Sequence, residues 1–113
     1  MKIAVNRCFG GFSLSDEAIK RYGELKGLNL ETTSTTYGVS EWYVVDEIGD
    51  KEYFWTFNIE RDDPILIQVL EELGKDANGS HAKIEVVEIP DDVKWQIEEY
   101  DGAEHIAEVH RTW

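Results

Sequence analysis

At 113 residues, with 42% hydrophobic and 12% aromatic side chains, the chain is long enough for one domain with a single core that needs neither metal nor disulfide to fold. The formal net charge of −13 is uneven: residues 1–30 hold five Lys/Arg against three Asp/Glu, and residues 31–113 hold six against 21. Such a field repels nucleic acid, so direct DNA or RNA binding is excluded as an expectation; what remains is acidity for solubility or acidity that imitates a phosphate array.

Ile3, Ala4 and Val5 read as a short buried strand. A loop over 6–14 contains Gly10-Gly11, and a helix follows it. Ser15 is its expected N-cap, Asp16 and Glu17 fill the first turn, and Leu14 with Ile19 has the spacing of a hydrophobic staple. Gly27 ends that helix. Residues 31–40, ETTSTTYGVS, fit either a loop or an exposed edge strand. Two aromatic and β-branched runs then flank Glu47–Asp50 and predict a hairpin, with Tyr53, Trp55 and Phe57 on one strand face.

Asp63 and Pro64 open a second helix, whose apolar stripe is Ile65, Leu66, Val69, Leu70 and Leu73 and whose end is Gly74. Asn78-Gly79 marks a turn. Two strands are expected at 83–89 and 93–99, joined at Pro90-Asp91-Asp92. Asp101-Gly102 breaks the second of them. Ile106, Val109 and Trp113, with Ala103 on the same side, predict a short terminal helix. The expected fold is therefore α+β: one domain over 1–113, a largely antiparallel sheet of about five strands, two main helices and a short third.

Four Trp, five Tyr and four Phe are many for this length, and the aromatics at 42–57 exceed what one hairpin face can hide. Exposed aromatics favour an oligomer contact or base stacking, so a homo-oligomer is expected. A lone Cys8 fits a reducing compartment, and no run reaches the roughly 18 apolar residues of a membrane span. MKIAVNRCFGG lacks the apolar stretch of a signal peptide, so the expectation is a soluble cytoplasmic protein without membrane contact.

Two places carry candidate binding chemistry. Gly10-Gly11, between a strand and a helix N-terminus, offers N–H groups to an anion, and Arg7 adds a guanidinium. The string is neither G-x-G-x-x-G nor a P-loop, and the same glycines also make a plain corner. At the other end, Arg111, a histidine and Trp113 could hold phosphate, ribose and base respectively, with His110 beside Arg111, while a helical Glu108–Arg111 pair is the alternative without ligand. His105 and His110 are five apart and there is no Cys pair, so neither metal nor cofactor is expected. Cys8 with a distant His is the only nucleophile–base combination, a weak basis for catalysis.

Three strings, NRCFGGFSLSDEAI, RDDPILIQVLEELG and EIPDDVKWQIEEYDGAEHIAEVHRTW, resemble a family of small proteins from tailed bacteriophages and prophages. The resemblance spans the chain except about residues 28–52, and its distinctive parts are CFGGF and DG-x-E-x-I-x-E-x-H-R-x-W. The architecture is also similar to the phage sponges that counter Thoeris defence. Those are β-rich oligomers whose C-terminal helices carry arginines that grip a cyclic ADP-ribose-type signal. Arg111 corresponds to one such arginine, and the position one helical turn earlier is Ala107 here. Arg7 or Arg61 would have to supply the second cation.

The resemblances imply a phage accessory, anti-defence protein that binds rather than catalyses and sequesters a nucleotide-derived signal at an oligomer interface. His110 and Arg111 would hold phosphate, Arg7 with Gly10 and Gly11 would give a second anion contact, and Trp113 would stack. One alternative is an acidic DNA mimic that blocks a host nuclease, restriction enzyme or other defence protein. Another is a small phosphoesterase-like enzyme that depends on His105 or His110.

Overall fold

The structure, a computed structural model, describes residues 1–34 and 40–109. It is an α+β domain in which every strand pairing is antiparallel. Among the described residues the strands form three small sheets instead of one: β1 (Lys2–Asn6) with β5 (Ile84–Glu88), β2 (Leu30–Ser34) with β3 (Ser40–Val45) and β4 (Lys51–Tyr53), and β6 (Trp95–Tyr100) with β7 (Ala103–Glu108).

Both expected helices form where their caps place them. Ser15 caps α1 (Asp16–Lys26) by accepting the Ala18 N–H at 3.2 Å, and Gly27 closes it in the left-handed conformation. Asp63 caps α2 (Pro64–Leu73) by accepting the Ile65 N–H at 2.8 Å. The helices pack on one face of the β1–β5 ribbon, where Ala4, Ala18, Leu66, Val69 and Ala77 lose all exposure and Ile84 and Val86 pack against them. Ile3 and Val5 are equally buried and alternate to the opposite face, toward β7. Trp42 of β3 is buried too, and its indole N–H donates to Asp16 at 2.9 Å, which fastens the three-stranded sheet to α1.

Two expectations fail here. The aromatic strand stops at Tyr53, and Thr56–Asn58 turn as a 3-10 helix, so Tyr53, Trp55 and Phe57 do not continue along one strand face. The terminal helix is absent from residues 103–108, which are β7. Asp101 and Gly102 both take positive φ, +53° and +91°, and form the two-residue loop that pairs Tyr100 with Ala103. Residues 110–113 of that expectation lie outside the described residues.

The free edge of β1 is closed in an unusual way. One edge pairs with β5; on the other, the Ala4 N–H donates to the Arg61 carbonyl at 2.8 Å and the Asn6 N–H donates to Glu104 Oε1 at 2.8 Å. Arg61 and Glu104 bind each other through two bonds, Nη1–Oε1 at 2.6 Å and Nη2–Oε2 at 2.8 Å. The guanidinium also lies over the Phe12 ring, 3.8 Å from its centroid. Burial alone would raise the Glu104 carboxyl. The bonds from Arg61 and the Asn6 N–H, with the Arg61 charge, overcome that and hold it below the usual carboxylate range.

Candidate functional site

The residues singled out at the start of the chain do not form an anion cradle. Arg7 donates through Nε to Glu85 at 2.7 Å and through Nη1 to the Glu104 carbonyl at 3.2 Å, so both sides of its guanidinium serve the fold. A shallow groove of about 370 Å³ beside it is walled mostly by Val87, Trp95 and Ile106. Gly10 and Gly11 take φ of +120° and +92°, and the Gly10 N–H is spent on the Asp101 carbonyl at 3.4 Å. Their backbone packs directly on Gly102, so the pair is the corner that lets the β6–β7 turn approach. His110, Arg111 and Trp113 lie outside the described residues. Arg61, weighed as a second cation, is committed to Glu104. His105 points away from Glu104 on β7 and pairs across the hairpin with Glu98 at 3.0 Å.

The arrangement that most resembles a site lies elsewhere, between α1, the β3–β4 hairpin and the segment leading into α2. A cleft of about 460 Å³ opens there, inside the size range of small-molecule sites. Its aromatic wall follows from local sequence. β4 ends at Tyr53, the chain turns through Phe54 and Trp55, and the Tyr53 and Trp55 rings meet with centroids 4.2 Å apart and planes tilted by 45°. Tyr43 abuts Tyr53 edge-on at 5.5 Å, and Phe54 meets Tyr22 at 6.1 Å. Tyr53 stays 38% exposed and Trp55 48%, so the wall presents π surface to whatever enters.

Opposite stands a polar set from the two helices. Asp63 Oδ1 caps α2, while Oδ2 accepts from the Tyr22 hydroxyl at 2.7 Å and from Lys26 Nζ at 3.0 Å. Lys26 also hangs 5.6 Å from the Tyr22 ring centroid. Burial, then the bond to Asp63, raises the Tyr22 phenol; the bond to Asp63 raises Lys26. Burial would raise Asp63, but its bonds from Tyr22, Lys26 and the Ile65 N–H bring it below the usual range. At neutral pH the set is therefore a phenol, an ammonium and a carboxylate, each already placed. It orients groups and holds charge, and no member is poised to pass a proton near pH 7. Asp63→Ala is expected to lose about 1–2 kcal/mol of stability, since cap and clamp go together, read as a lower denaturation midpoint at unchanged m-value.

An aromatic surplus with exposed members was readable from residues 42–57; that Lys26 and Tyr22 would share the Asp63 carboxylate was not. Spacing marks Asp63 as a cap only, and its second oxygen is reached by a helix 37–41 residues away in the chain. Among the described residues no group of three or more His, Cys, Asp or Glu is placed to hold a metal ion. No described helix is long and apolar enough to cross a membrane. No family model, curated protein or solved structure matches the chain.

Proposed function

We propose that this protein is a phage accessory factor that acts by binding, and that the aromatic cleft receives the planar ring of a nucleotide-derived molecule in the cytoplasm of an infected cell. The observation that carries the reading is the half-exposed Trp55, in tilted contact with Tyr53 on the lining of a 460 Å³ cleft. Stacking of a base on such a ring contributes about 1–3 kcal/mol. Asp63, held deprotonated, fixes Tyr22 and Lys26 on the lining of the cleft, and sequestration needs no proton transfer. The anti-defence role rests on the sequence resemblance, and the oligomer on the exposed aromatics as well.

A DNA-mimic role has less support. Lys2 is paired with Glu71, Arg7 with Glu85, Arg21 with Glu72 and Lys51 with Glu31. The acidic surface is thereby interrupted by cations where a phosphate array would be continuous.

Calorimetric titration with nucleosides, cyclic nucleotides and ADP-ribose isomers tests the reading, with tryptophan fluorescence as a second signal. The expected result is saturable binding by at least one of them, weakened about tenfold or more in Trp55→Ala. No heat with any of these compounds, or an affinity indifferent to Trp55, overturns it.

A further inference from the structure

We infer that the ring this cleft selects carries a positive charge: the ligand class is a planar heterocyclic cation, such as an N-alkylated purinium or a pyridinium. The inference rests on the reading of the aromatic cleft as the ligand site and adds its charge preference. Three carboxylates line the cleft, Glu52, Glu60 and Asp63, against the single ammonium of Lys26. Lys26 is not available to an incoming anion at no cost, because Asp63 holds it at 3.0 Å. That ion pair leaves Glu52 on β4 and Glu60 at the approach to α2 as exposed carboxylates on the lining of the same cleft.

A polyphosphate entering this space meets like charge at the rim and a net charge of −13 behind it. A flat cation meets the opposite charge at the two free carboxylates. The faces of Trp55 and Tyr53 attract it through their quadrupoles, and the two carboxylates attract it through space. Neither attraction needs a rearrangement of the clamp between Asp63, Tyr22 and Lys26. Any phosphate on such a ligand is expected to lie outside the mouth.

The test compares matched probes with the intact chain: N1-methylnicotinamide against nicotinamide, and 1-methyladenosine at pH 6.5 against adenosine. Each cation is expected to bind about tenfold more tightly than its neutral partner at low salt, and the advantage should shrink as ionic strength rises. Glu52→Gln/Glu60→Gln should remove most of that preference and leave neutral-ring affinity within about twofold, since stacking is untouched. Asp92→Asn/Glu99→Gln removes the same formal charge from the β6–β7 region and should leave the preference intact. Equal affinity for cation and neutral partner overturns the inference but spares the cleft as a site, as does an equal loss of preference in both double variants. Failure of all four probes to bind, or binding indifferent to Trp55→Ala, overturns site and inference together.

Discussion

Arg61→Ala is expected to lose about 3–5 kcal/mol of stability, enough to lower the melting temperature by roughly 10–20 °C in a domain of this size. The Glu104 side chain is only 5% exposed and would be left charged with no counter-ion. The pair also closes a strand edge, and that leads to a sharper expectation. In many proteins a buried ion pair can be exchanged for two apolar side chains with little loss. Here Arg61→Met/Glu104→Met would strip the Asn6 N–H of its acceptor and the Ala4 carbonyl of the guanidinium that donates to it at 3.3 Å. An orphaned buried polar group costs about 1–3 kcal/mol, so the double variant should remain well below the parent. Full recovery in urea melts would show that edge closure contributes little.

The acid limb of stability follows from the same pair. Glu104 and Asp63 both titrate lower in the folded chain than in the unfolded one. Their contribution is complete above the unfolded carboxylate values near ~4 and is lost as pH falls through the lower folded values. Unfolding free energy should therefore drop as pH falls below about 4.5, and less steeply in Glu104→Gln.

Gly102→Ala is the second large effect. At φ +91° any L side chain is strained, and a Cβ at that position would stand 2.6 Å from the Gly10 nitrogen and closer still to that of Gly11. Both obstacles are backbone, so neither can rotate aside. The hairpin turn would have to lift away, taking with it the 2.8 Å bond from Asn6 Nδ2 to the Gly102 carbonyl. A loss of about 3 kcal/mol or more is expected. Gly11→Ala gives the internal comparison. Its φ of +92° is as unfavourable, but nothing lies within 4 Å of the added methyl. That variant should lose only about 1–2 kcal/mol. Similar midpoints for the two variants in thermal melts would remove close approach as the reason for Gly102.

Local signals placed most elements. Ser15, Gly27, Asp63, Pro64 and Gly74 bounded both helices because caps act within one turn of chain. The hairpin around Glu47–Asp50 and the strands after Lys83 followed from β-branched and aromatic runs. The C-terminal segment misled because Ala and Glu favour helices and Ile106 with Val109 has helical spacing. The stronger signal was Asp101-Gly102, a hairpin dipeptide between two segments able to alternate. With that turn, Glu104 and Ile106 face one way and His105 the other. The glycine pair at 10–11 was legible as a corner or a cradle, and its neighbour Gly102, 91 positions onward, decides for the corner. Arg61 with Glu104 left no trace in any local pattern, since the partners are 43 residues apart and on unrelated elements.

The carboxylate of Glu104 on the Asn6 amide also sets an order of events during folding. The pairing partner of strand β1 begins only at Ile84, and the group that finishes its far side is residue 104. Helices α1 and α2 can form early from neighbouring residues, while the strand beside them must wait for a group 98 residues away. Such distant closure slows folding and leaves apolar Ile3 and Val5 uncovered until it is complete.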